Sequence, residues 1–311
     1  MPDPLVWLPF DPAELDEAGG APAGLRYEVV DATGQVPDSV ADVRFYVPPY
    51  SVGPEVTAAM ERMTALEVVQ TLTAGVDNIA HAVPDGVTLC RGEGIHDTST
   101  AELALTLTLA GLRGVPHAVR AADRREWAPQ WWPALADKRV LLLGHGAIGR
   151  AIERRLEPFE VDVVRVARTA RGGDRSVHAL DDLPDLLPTA DVVVLVVPLT
   201  DATRGLVDAD FLARMKDGAL LVNVARGAVV VTDDLLAVLR TGRVTAALDV
   251  VDPEPLPADH PLWEAPGLLL TPHVGGASSA MWPRARRVVR AQLERYAQGE
   301  PLAGVVPPDG P

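Results

Sequence analysis

Val140-Leu141-Leu142-Leu143-Gly144-His145-Gly146-Ala147-Ile148-Gly149 is the stretch on which the reading of this chain turns. Four apolar residues in succession suit a strand of a parallel sheet covered on both faces. The glycines that follow open a helix running to about Glu157. A bare G-x-G-x-x-G recurs by chance, and a glycine-rich turn in an unrelated α/β domain is the alternative, but strand before and helix after is the context that gives the motif meaning. Gly144 permits a tight turn, Gly146 lets the backbone approach a pyrophosphate, and Gly149 lets the helix pack closely on the sheet. The free N–H groups around Ala147 and Ile148, at the positive end of the helix dipole, then face phosphate.

A dinucleotide site raises the question of which dinucleotide. NAD sites place an acidic residue about 20 residues further on, at the end of the second strand, against the ribose 2′-hydroxyl. Here the strand Val161 to Val166 ends in Ala167-Arg168-Thr169-Ala170-Arg171. No carboxylate stands there to repel a 2′-phosphate, whereas Arg168 and Arg171 can pair with one and Thr169 can hydrogen-bond to it. The expectation is NADP(H) in preference to NAD(H), with NAD(H) still possible; solvated loop charges are the competing explanation for the arginines.

Working outward, apolar strands recur at Val192 to Val197, Leu220 to Val224, Val244 to Leu248 and Leu268 to Leu270. Before the fingerprint, shorter runs at Leu5 to Leu8, Tyr27 to Val30, Val43 to Val47, Val68 to Leu72 and Val87 to Cys90 alternate with helical stretches, a second α/β series. Between the two lies an apolar helix expected from Ser99 through about Ala122, with Ser99 and Glu102 at capping-box spacing. An amphipathic helix from about Ala280 to Ala297 and a Pro/Gly-rich tail end the sequence.

The 311 residues, 48% hydrophobic and 23% charged, have globular composition and room for two domains. A formal charge of −15 argues against nucleic-acid or acidic-membrane partners, which need a basic surface. No segment approaches the roughly 20 apolar residues that span a bilayer, and the N-terminus lacks signal-peptide character, so a cytoplasmic protein is expected. Cys90, the sole cysteine, rules out an intrachain disulfide and reads as a buried hydrophobe; no metal site is expected.

Three polar segments follow apolar strands: Asn223-Val224-Ala225-Arg226-Gly227, Asp252-Pro253-Glu254-Pro255-Leu256 and Thr271-Pro272-His273-Val274-Gly275-Gly276. In α/β sheets the C-terminal edge is where ligands bind. Reducing a 2-oxo acid requires a cation for the carboxylate and carbonyl, an acid for the developing alkoxide, and a group that keeps that acid protonated. Arg226 suits the first task, His273 the second and Glu254 the third. Helix capping, a solvated Pro-rich loop and a satisfied core histidine are the structural alternatives for the three.

With Thr73-Ala74-Gly75-Val76-Asp77-Asn78 preceding the fingerprint and Thr271-Pro272-His273 closing the series, nearly the whole sequence resembles the D-isomer-specific 2-hydroxyacid dehydrogenase family. The resemblance implies two doubly wound parallel-sheet domains: a flavodoxin-like substrate domain of residues 1–97 and 276–311, and a Rossmann cofactor domain of residues 98–275 inserted into it, with the active site in a hinged cleft. It implies Arg226, Glu254 and His273 as catalytic residues, and the backbone of Thr73, Ala74, Gly75 and Val76 as a cradle for the substrate carboxylate. Asp249 is implied as a nicotinamide contact, and Pro198, Thr203, Val224, Arg226, His273 and Gly275 complete the cofactor-binding set.

Departures within the family narrow the choice. Formate dehydrogenases carry glutamine where this chain has Glu254, and phosphite dehydrogenases carry a lysine near Ala74. A glyoxylate/hydroxypyruvate-like 2-oxo acid is the leading expectation. Tyr50, in the segment Tyr46 to Ser51, and Trp282 are candidates to line its pocket, with packing as the alternative. Trp127, Trp131 and Trp132 suggest an interface, and the family implies a homodimer. A dinucleotide-sensing scaffold of the same fold, or a dehydrogenase for another carbonyl compound, are the rival readings.

Overall fold

The computed structural model describes residues 2–30, 36–50, 54–173 and 175–307. They fall into two compact units, Met1–His96 with Ser279–Pro311, and Asp97–Ser278. Both are built on parallel sheets, as expected for doubly wound α/β domains.

The first unit carries five strands, β1 (Leu5–Leu8), β2 (Arg26–Val29), β3 (Val43–Tyr46), β4 (Val68–Gln70) and β5 (Thr88–Cys90), in the order β2-β1-β3-β4-β5. Alternation along β1 shows why the sheet is apolar on both sides: Val6 and Leu8 enter one core, Leu5 and Trp7 the other. The first of these cores is closed by the helix Met281–Gln298, whose Met281, Ala285, Val289 and Leu293 recur at the four-residue spacing of one helix face. Cys90 lies in the same core, and burial pushes its thiol up to about 11.

The second unit has seven strands, β6 (Arg139–Leu143), β7 (Asp162–Val166), β8 (Val177–His178), β9 (Val192–Leu195), β10 (Leu220–Asn223), β11 (Thr245–Leu248) and β12 (Leu268–Leu270), ordered β12-β11-β10-β9-β6-β7-β8. The chain runs outward from β6 through β7 to β8, then crosses back to β9 on the other side of β6. That reversal leaves a crevice at the carboxyl ends of β6 and β9, and the turn at Gly144 opens into it. Val140 and Leu142 face one core, Leu141 and Leu143 the other.

One expectation is corrected here. The helix read from Ser99 to about Ala122 is two helices, Asp97–Leu112 and Val115–Asp123, separated at Gly114, which takes a left-handed φ of 62°. Because the first helix already begins at Asp97, Ser99 lies within it and forms no capping box with Glu102; its hydroxyl instead meets that of Ser278 at 2.6 Å. The two-residue β8 is too short to leave a sequence signal.

Among the described residues no helix is long and apolar enough to cross a membrane. Trp127 and Trp131 are 96% and 100% exposed, while the Trp132 ring lies against Gly114 and His117.

The helix Asp97–Leu112 is held to its sheet by Ala101, Ala104 and Leu107. Leu107→Ala should therefore destabilise the second unit by about 2–5 kcal/mol in chemical denaturation, the usual cost of emptying a buried leucine site. A loss below about 0.5 kcal/mol, the scale of surface substitutions, would show the helix is not docked there.

Candidate active site

The glycine turn is shaped by what its neighbours leave no room for. Gly144 has φ +109°, and a Cβ there would stand 2.4 Å from the carbonyl oxygen of Val196, just beyond β9. A Cβ on Gly149 would stand 2.2 Å from the carbonyl oxygen of Gly144. At Gly146 a Cβ would meet nothing within 4 Å, so that position opens to space at the N-terminus of the helix Ala147–Leu156. Two closed glycines and one open one fit a dinucleotide pyrophosphate approaching the backbone at Gly146.

Around this turn the acidic group is inside. Glu153, its side chain 3% exposed, accepts from His145 Nε2 at 2.6 Å, from Arg165 at 2.6 and 2.8 Å, and from Arg175 at 3.0 Å. Burial alone would raise its carboxyl, but the hydrogen bonds from Arg165 and His145 outweigh it and hold the group at about 2. Arg168, Thr169 and Arg171 are exposed after β7, and among the described residues no carboxylate pairs with Arg168 or Arg171; Asp174 lies outside the described residues. The turn from Pro198 to Thr203 is closed by the Thr203 hydroxyl, which donates to the Pro198 carbonyl at 2.6 Å and accepts from the Thr200 amide at 2.8 Å.

Three loops meet at the carboxyl ends of β10, β11 and β12. Asn223, fully buried at the end of β10, accepts from the Ala225 amide and donates to the Arg226 carbonyl, both at 3.0 Å, and so bends the chain beneath Arg226. A Cβ on Gly227 would lie 1.8 Å from the Val251 carbonyl oxygen, so the Arg226 turn rests directly on the backbone leading to Glu254. Val224 is buried, its amide bonded to the Leu195 carbonyl at 3.2 Å.

Asp249 gathers the third loop. Its buried carboxylate accepts from Thr271 Oγ1 at 2.6 Å, from the Val274 amide at 2.9 Å and from the Gly275 amide at 2.8 Å. Its own carbonyl accepts from the His273 amide at 2.8 Å. His273 is thereby held at a positive φ of 52°, a conformation that non-glycine residues adopt at a cost and that clusters at functional sites.

From that position Nδ1 of His273 donates to Oε2 of Glu254 at 2.8 Å, while Oε1 of Glu254 accepts from the Val251 amide at 2.9 Å. The His273 side chain is 50% exposed and that of Glu254 34%. The hydrogen bond to Glu254, reinforced by its charge, raises the imidazole above its ordinary value against the opposing effects of burial and Arg226. Burial favours a protonated Glu254, but the His273 and Val251 hydrogen bonds and the Arg226 charge prevail and keep its carboxyl low.

Residues expected at a substrate site also occur in the first unit. Thr73 Oγ1 donates to the Gly75 carbonyl at 2.7 Å, and the Thr73 carbonyl accepts from Thr71 Oγ1 and the Gly92 amide, both at 2.8 Å. Among the described residues no partner takes up the amides of Ala74, Gly75 and Val76. Tyr50 packs beside His96, ring centroids 5.5 Å apart, and Trp282 meets Phe10 edge-on with Arg286 over its ring. Ser51, in the same expected segment, lies outside the described residues.

A family model for the NAD binding domain of D-isomer specific 2-hydroxyacid dehydrogenases matches residues 105–275. The chain belongs to that family. It is 33% identical, over 76% of each chain, to a glyoxylate reductase/hydroxypyruvate reductase of Homo sapiens. Among solved structures it resembles a D-isomer specific 2-hydroxyacid dehydrogenase from Xanthobacter autotrophicus Py2, determined with NADPH and MES (30% identity, 99% of each chain, TM-score 0.84). It also resembles an NADPH-dependent glyoxylate/hydroxypyruvate reductase from Sinorhizobium meliloti, determined with NADP and sulfate (29% identity, 98% of each chain, TM-score 0.82).

Several contributors were hidden in the sequence. Asn223 had a signal, an amide ending an apolar strand, but Gly227 and Glu153 draw their roles from backbone and arginines distant in the chain. Gly227→Ala should cost about 1–3 kcal/mol in stability, the usual penalty of overpacking, seen as a lowered midpoint in chemical denaturation. A wild-type midpoint would show that the two loops are not in contact.

Proposed function

We propose that this protein is a 2-oxo acid reductase, a D-2-hydroxyacid dehydrogenase run in the reducing direction, using NADPH in preference to NADH and a small substrate of the glyoxylate or hydroxypyruvate type. The observation that carries the reading is the hydrogen-bonded His273–Glu254 pair beside the Arg226 turn. The curated and structural relatives support it, since reductases of this substrate class recur among them.

A nicotinamide dinucleotide supplies the hydride when bound, its pyrophosphate held by the backbone from Gly144 to Gly149. The remaining work belongs to side chains of this chain. Arg226, always charged, binds and orients the substrate carboxylate and carbonyl. Glu254 fixes the His273 ring through Nδ1 and favours its charged form, so Nε2 carries the proton delivered to the carbonyl oxygen. Asp249 holds the loop that presents His273. In the first unit, the amides of Ala74, Gly75 and Val76 suit a carboxylate. On the cofactor side, the arginines after β7 in place of a carboxylate support NADPH. The exposed Trp127 and Trp131 support a homodimer.

Absorbance loss of NADPH and of NADH, each with glyoxylate, hydroxypyruvate, pyruvate and phenylpyruvate, tests the reading. NADPH-selective turnover is expected, with Arg226→Ala lowering kcat/KM by about 100-fold or more, the scale of removing one charge-stabilising donor. Tight NADPH binding without turnover of any acid would overturn the reductase reading, and equal use of NADH would overturn the preference alone.

The sign of the pH dependence follows from the raised His273. Reduction needs the imidazolium, so activity is present below its pKa and lost as pH rises through it. Glu254→Gln removes the group that raises it, and the falling limb of kcat/KM should move to lower pH by about one unit or more, the usual effect of losing an adjacent opposite charge. An unmoved limb would show that another group sets it.

A further inference from the structure

This inference rests on the NADPH reading. We infer that Glu153 is the positioning residue of the 2′-phosphate subsite: one buried carboxylate that locks together the glycine turn, the end of the second strand and the loop after it, so that Arg168 and Arg171 stand where a phosphate can reach them. Three elements meet on it. His145 is part of the glycine turn, Arg165 belongs to β7, and Arg175 belongs to the return of the loop that begins at Ala167.

The same loop is pinned at both ends. The Ala167 amide donates to the His178 carbonyl at 3.0 Å, and Arg171 and Val177 exchange backbone hydrogen bonds at 2.9 Å. Arg175 reaches from the loop to Glu153 and also to Glu157 at 2.8 Å. Arg171 and Arg150 in turn direct guanidinium nitrogens to the His145 carbonyl, each at 3.5 Å. Glu153 thus engages Arg165 and Arg175, and no described carboxylate pairs with Arg168 or Arg171.

Two physical effects act in opposite directions when this carboxylate is neutralised. Removing a negative charge near the subsite strengthens attraction to phosphate, while releasing His145, Arg165 and Arg175 disperses the groups that define it. Two guanidinium groups already meet the charge of Glu153 at 2.6–3.0 Å, so its long-range field is largely cancelled and the loss of position dominates.

Calorimetric binding of adenosine 2′,5′-bisphosphate and of 5′-AMP to wild type, Glu153→Gln and Arg175→Gln tests this without turnover. Wild type should prefer the bisphosphate. In Glu153→Gln its affinity should fall by about tenfold, a loss on the scale of one buried charge-assisted hydrogen bond, and by more than the affinity for 5′-AMP, which lacks the 2′-phosphate, so that the preference for the bisphosphate narrows. Arg175→Gln, a change at an exposed side chain that leaves the fold intact, should lose bisphosphate affinity in the same sense. Unchanged or tighter bisphosphate binding in Glu153→Gln would overturn the positioning role; if that variant does not fold, wild-type selectivity in Arg175→Gln overturns it. Wild type that binds both nucleotides equally would instead refute the NADPH reading beneath it.

Discussion

Because an imidazole can serve as an acid only where its loop holds it, the candidate site depends first on Asp249, whose buried carboxylate ties the end of β11 to the loop after β12 through Thr271, Val274 and Gly275. The backbone continues that connection: the Asp249 amide donates to the Asn223 carbonyl at 2.9 Å, and the Asn223 side chain shapes the turn beneath Arg226. Two buried polar residues at neighbouring strand ends therefore set the relation between the cation and the acid. Such groups are tolerated in the core because their hydrogen-bonding capacity is met locally, and removing one partner would leave the other buried and unsatisfied.

Charge is organised by the same logic at both ends of the second sheet. The chain carries −15 overall, yet its carboxylates at these two places are not free to repel an anion. Glu254 is engaged by His273 and Val251, and Glu153 by His145, Arg165 and Arg175. Each buried or half-buried acid is thus spent on the hydrogen-bond donors around it, and no described carboxylate stands beside the exposed Arg168 and Arg171. Local arrangement, not net charge, governs the sites.

Much of the fold is legible in the sequence, for reasons particular residues make plain. Strands such as Val140 to Leu143 are apolar at every position because helices cover both faces, and a continuous apolar run is visible in a sequence. Residues such as Arg226 and His273 stand out in the sequence because polar groups directly after apolar strands are few. The break at Gly114 leaves a signal, since Pro116 follows two residues later and the pair suits the end of one helix and the first turn of the next, but the apolar spacing that continues through both helices reads as one. The role of Ser99 is not legible, since its partner Ser278 lies 179 residues away. Nothing in the sequence sets Glu153 apart from the other charges of its Arg-rich helix; its meaning lies in Arg165 and Arg175, which lie on other elements.

The direct test of the site's chemistry is an NMR titration of the His273 ring in wild type and in Glu254→Gln, made without any ligand. His273 should titrate above the ordinary imidazole value in the wild type and fall back toward it in the variant. A wild-type His273 that titrates at or below that value, or one that Glu254→Gln leaves unmoved, would contradict the proposal that this pair holds the proton for the substrate oxygen.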